Sequence, residues 1–105
     1  MNSVNTLLLW EHVHQAFKDA EALRKGPRDK AYNSGGIGLG DYFPYGTKSA
    51  MHMVWLKALR AVSCEEAGDK AALQDSLLDL INYAGFACGL VDMERKEENS
   101  DEDLG

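Results

Sequence analysis

The stretch that decides the fold runs from Asp69 to Glu94, DKAALQDSLLDLINYAGFACGLVDME. Leu73, Leu77, Leu80, Ile81, Ala84, Cys88 and Val91 recur at helical spacing, which predicts a long helix with Asp69 as its N-cap. At about 100° per residue this apolar set forms one face, and Asp75, Asp79 and Asn82 lie together on the opposite one. That second face also carries Leu78, Phe86 and Leu90, while Gly85 and Gly89 leave room for another helix to approach. A helix that is apolar on nearly all sides is buried on nearly all sides. Two carboxylates and an amide are therefore expected inside or at the mouth of a helical bundle. Buried carboxylates call for a cation beside them.

Two further helices are expected upstream. Leu7, Val13, Phe17, Ala20 and Leu23, flanked by Trp10 and Ala16, predict a helix over 3–25 that Gly26-Pro27 ends. Thr47 is a good N-cap for a helix over 47–63, with Ala50, Met51, Val54, Trp55, Ala58, Ala61 and Val62 as its apolar stripe. Between them lies a long loop over 28–46 with five glycines and Tyr32, Tyr42, Phe43 and Tyr45. Its aromatics are unlike those of a disordered linker, and they predict a loop that folds over something. The fold class is all-α: a three-helix domain over 1–95, its core completed by helical-bundle oligomerisation, followed by a disordered acidic tail over 96–105. Three helices are few for a closed core, so a homodimer or higher homo-oligomer is expected, with Gly85 and Gly89 near a helix contact.

With 105 residues the chain has room for one such core. Its 11 basic and 17 acidic residues give a net charge of -6, with Glu97, Glu98, Asp101, Glu102 and Asp103 crowded near the end. Duplex nucleic acid is an unsuited partner for that balance, since neutralising phosphates takes clustered Lys and Arg. Cys64 and Cys88 have neither metal-ligand spacing nor the number for a disulfide framework, which fits a reducing cytoplasm. Leu7 to Trp10 is too short for the apolar stretch of a secretory leader, so none is expected, and no apolar run reaches membrane-spanning length.

Carboxylates one helical turn apart can share a Mg²⁺, an ion that prefers oxygen ligands and keeps waters for phosphates. Asp75 and Asp79 are the candidates; the plainer alternative is a charge suited to the helix dipole, with Asp79 paired to Lys57 or Arg60. Lys57 and Arg60, three residues apart, share a helix face and suit a phosphate chain, or else a solvated edge. Gly46-Thr47-Lys48-Ser49 lacks the first glycine and the preceding strand of a P-loop, although a free helix N-terminus there suits an anion. His12, His14 and His52 have no metal-binding spacing, and no nucleophile–histidine pair stands out.

Taken together, Tyr45-Gly46 through Lys57-Ala58-Leu59-Arg60 and then Asp75-Ser76-Leu77-Leu78-Asp79-Leu80-Ile81-Asn82-Tyr83-Ala84 resemble small phage-encoded proteins associated with nucleotide modification. Those look like distant relatives of the all-α, MazG-like nucleoside triphosphate pyrophosphohydrolases. Arg28 to Asn33 loosely resembles the Asp-Tyr-Gly segment that precedes the second helix there. The resemblance covers roughly residues 28 to 92 and is most specific over Asp75 to Ala84. It implies Mg²⁺ on Asp75 and Asp79; an enzyme of that kind would here place phosphates on Lys57, Arg60 and Lys48 and hold the nucleotide by Asn82 and by Tyr42, Phe43 or Tyr45. The family's Glu-x-x-Glu pair is missing: Lys57 and Arg60 stand there, and Glu65-Glu66 lie past the expected helix end. Two carboxylates rarely make the cluster that activates water on a phosphoanhydride. Nucleotide binding, with Mg²⁺-dependent hydrolysis as an extension, is thus the expectation. The alternative is a non-catalytic phage anti-defence protein in the host cytoplasm, one that sequesters a nucleotide or cyclic-nucleotide signal or inhibits a host protein.

Overall fold

The computed structural model describes residues 5–26, 29, 36 and 38–104, with side chains as far as Asn99. Three α-helices account for nearly all of it: α1 (Thr6–Lys25), α2 (Thr47–Glu66) and α3 (Lys70–Leu104). A 3-10 turn over Leu39–Tyr42 precedes α2, and no strand occurs among the described residues. The all-α expectation holds. The segment around Arg28 to Asn33 lies, apart from Asp29, outside the described residues.

Local chemistry sets the boundaries. The Asn5 side chain accepts from the Leu8 N–H at 3.1 Å and caps α1. Gly68, at φ +72°, closes α2 with the paired bonds Asp69 N–H to Cys64 C=O and Gly68 N–H to Glu65 C=O, each 3.1 Å. That is the six-to-one and five-to-two pattern of a left-handed glycine stop. Asp69 Oδ1 then accepts from the Ala72 N–H at 3.0 Å, as its expected capping role requires. At the other end of α2 the cap is Gly46, at φ +60°, and not Thr47, which is the first helical residue. α2 also runs three residues beyond Ser63, so Glu65 and Glu66 belong to its last turn. α3 continues to Leu104, through most of the acidic segment over 96–105 expected to be disordered. Acidic and basic residues one turn apart, such as Asp92 and Lys96 at 2.9 Å, support its exposed continuation.

α2 and α3 form an antiparallel hairpin, and α1 packs on α3 alone among the closer element pairs. The hairpin is tied along its length by Cys64 beside Ser76, Lys57 beside Asp79, and Ala50 packed with Ala87. Its small core is Phe43, Ala50 and Ala87, with Leu39, Val54, Tyr83, Phe86 and Leu90 against it. Phe43 brings the end of the glycine-rich loop onto α3, its ring 5.8 Å from Phe86 and edge-on to Tyr83 at 6.5 Å.

The inward face of α3 is not the apolar set read from the sequence. Ser76, Asp79, Asn82 and Ala87 are buried, while Leu77, Ala84, Cys88 and Val91 are exposed. On α2, likewise, Met51, Trp55 and Val62 face solvent and Ala50 and Ala61 face the core. The physical reason is close packing: alanines let the hairpin helices approach, and Asp79 comes inside with its own cation. Gly85 and Gly89 stand in open space, so neither marks a close approach within one chain.

Candidate phosphate-binding face

The site spans about half the circumference of α2. Tyr42, Pro44, Tyr45, Lys48, Ser49, His52 and Met53 line a recess of about 380 Å³. Met53 also borders a second recess of about 270 Å³, completed by Leu56, Lys57 and Arg60. Helical spacing explains the row: Ser49, Met53, Leu56 and Arg60 follow one another at three- and four-residue steps, with Lys48 and His52 on one flank and Lys57 on the other. Tyr42 comes from the end of the 3-10 turn, which the Gly38 N–H to Asp41 Oδ2 bond of 2.8 Å closes. Tyr45 is held by its N–H donating to Ser49 Oγ at 2.9 Å.

Of the nine residues named for the site, five lie on this face: Tyr42, Tyr45, Lys48, Lys57 and Arg60. Both tyrosines are exposed, at 44% and 80%, so their rings are available to a flat ligand. Phe43 is not; it is buried in the hairpin core. His52, to which the sequence assigned no role, lines the aromatic recess and stacks on Trp55 with ring centroids 5.9 Å apart. Its place four residues after Lys48 was the available signal.

Lys57 links the recess to the interior. Its Nζ lies 3.6 Å from Asp79 Oδ2 and 5.5 Å from the centre of the Tyr83 ring. Asp79 thus has the cation that its burial demands. Asp75 is exposed, one turn earlier on α3, so the two carboxylates differ in environment. Asn82 is buried on another side of α3, donating to the Ala20 carbonyl of α1 at 3.0 Å. It holds α1 in place and is not part of the ligand face.

The α2 N-terminus expected to receive an anion already has one. Glu94 of α3 accepts from the Thr47 N–H through Oε1 at 3.2 Å, against Gly46. A carboxylate there satisfies a free N–H group and suits the helix dipole. No sequence motif announced Glu94, because it lies 47 residues from its partner.

No group of three or more His, Cys, Asp or Glu residues converges among those described, and Asp79 is engaged by Lys57. The described helices include none long and apolar enough to cross a membrane. Compared with known proteins, the chain matches no family model, no curated protein and no solved structure.

Proposed function

We propose that this chain binds a nucleotide along α2, the base against Tyr42 and Tyr45 and the phosphates on Lys48, Lys57 and Arg60. The observation that carries the reading is that Met53 borders both recesses, one with exposed aromatic rings and the other with two basic side chains. A base stacks on an aromatic ring whatever its edge pattern. A guanidinium and an ammonium on adjacent turns suit a chain of phosphates. Binding does not require the carboxylate cluster that hydrolysis would. In the terms of the resemblance, the protein is a homo-oligomeric binder that sequesters a nucleotide signal in the cytoplasm of a phage's host.

Thermal unfolding against a panel of nucleoside mono-, di-, tri- and cyclic phosphates, with and without Mg²⁺, tests this directly. A ligand that binds the native state raises the melting temperature by mass action. A shift without Mg²⁺ that Lys48→Ala and Arg60→Ala each weaken supports the reading; both side chains are on exposed residues, so folding survives their removal. Asp79→Asn releases Lys57 from its carboxylate and is expected to strengthen phosphate binding. If binding instead requires Mg²⁺ and Asp79→Asn abolishes it, the protein is a metal-dependent enzyme with Asp75 and Asp79 as ligands. No shift with any nucleotide transfers the function to a protein partner.

A further inference from the structure

The chain exposes far more surface than a protein of its size. A folded monomer of 11.6 kDa has about 5,800 Å² of accessible surface. This chain has 8113 Å². Its radius of gyration is 16.9 Å, against about 13 Å for a compact domain of this length. The buried apolar residues among those described are Ala20, Phe43, Ala50, Ala61 and Ala87, four of the five being alanine, and no large side chain is fully buried. The excess of about 2,300 Å² exceeds the ~800 Å² that each partner contributes to a standard interface.

The missing cover has a definite place. Viewed down α3, three sets of residues are spaced roughly 100–140° apart. Ser76, Asp79, Tyr83 and Ala87 face α2, and Leu78, Asn82 and Gly85 lie towards α1. The third set is Leu73, Leu77, Leu80, Ala84, Cys88 and Val91. Leu77 and Val91 are 42% and 39% exposed, Ala84 and Cys88 are exposed, and Leu73 and Leu80 are half-buried. Leu77, Leu80 and Ala84 of this set, with Phe17 and Ile81, line a groove of about 560 Å³ between α3 and α1.

We infer that this third face of α3 is the seam on which a second copy of the chain packs, α3 against α3 in antiparallel orientation. The set is self-complementary about Ala84: seven residues before it stands Leu77 and seven after it Val91, four before it Leu80 and four after it Cys88. A two-fold axis at Ala84 therefore sets Leu77 on Val91 and Leu80 on Cys88 of the other copy, as a two-fold interface requires. The smallest side chain lies at the crossing point, where helices come closest. Charge selects the direction. The acidic run from Glu94 to Asp103 would lie against its twin in a parallel pair. An antiparallel pair places the two runs at opposite ends of a helix about 52 Å long. The seam stands independently of the ligand proposed for α2, which occupies a different helix.

Sedimentation equilibrium of the full chain, with variants in the seam, tests the inference. The expected species has twice the 11.6 kDa chain mass. Ala84→Glu together with Leu77→Glu is expected to give a helical monomer by circular dichroism, since both positions are exposed in one chain. Ala84→Cys in a Cys88→Ser background is expected to form a covalent dimer on mild oxidation, whereas Cys88 in the unaltered chain is not. This readout holds even if the charged variant fails to fold. A monomeric wild-type chain overturns the inference, as does a dimer that survives the glutamates. Efficient Cys88–Cys88 cross-linking overturns the antiparallel arrangement.

Discussion

Replacing Lys57 by methionine tests the part of the site on which both the fold and the ligand depend. The ammonium lies 3.6 Å from the Asp79 carboxylate, with the two side chains 17% and 9% exposed. At an effective dielectric of about 20 their attraction is roughly 4–5 kcal/mol before desolvation is subtracted. Removing one partner of a fully buried pair costs about 3–5 kcal/mol, because the other charge keeps its desolvation penalty. The residual exposure of Lys57 and the long contact place this pair at the lower end, about 2–3 kcal/mol. Contact with the Tyr83 ring adds about 0.5–1 kcal/mol that methionine only partly replaces. For a domain of this size each kcal/mol moves the melting temperature by about 4–8 °C, so a drop of at least 8 °C or so is expected. Thermal unfolding at one fixed protein concentration measures it, since self-association would make stability concentration-dependent. Lys57→Met with Asp79→Leu should recover most of the loss, because an apolar pair of similar volume carries no desolvation debt. A single-variant cost under about 0.5 kcal/mol would mean an ordinary surface pair. Lys57 would then be a solvated lysine, and the link between ligand face and core would fail.

Three other perturbations probe what positions the site. Phe43→Ala should cost about 3–5 kcal/mol in chemical denaturation, because it empties the contact with Tyr83 and Phe86 that anchors the loop bearing Tyr42 and Tyr45. Asn82→Leu leaves the Ala20 carbonyl without its buried donor and should cost about 1–3 kcal/mol. Faster amide exchange in α1 than in α2 would accompany that loss, and equal acceleration in both would disprove the local role. Glu94→Ala should cost about 0.3–1 kcal/mol, screened by salt, through loss of the carboxylate at the α2 N-terminus. A salt-independent effect of that variant would point to a cause other than helix-dipole electrostatics.

Periodicity made the three helices legible, and the glycine after Lys25 and the Asp69 cap were equally plain, whereas the end of α2 at the Gly68 turn was not read from the sequence. The Lys57–Asp79 pairing was open to a reader who asked what cation a buried carboxylate would need. So was the shared face of Lys57 and Arg60, since residues three apart on a helix lie on one side. Which side of each helix turns inward was not. Leu77 and Val91 on α3, and Met51, Trp55 and Val62 on α2, are more apolar than the alanines that displaced them from the core. Hydrophobicity orders residues by their transfer from water, whereas helix packing selects the faces whose small side chains let two backbones approach. Phe43 rather than Tyr42 entering the core, and Glu94 reaching the start of α2, depend on contacts across 40 or more residues. Local spacing carries no information about such meetings; only the folded arrangement of α2 on α3 decides them.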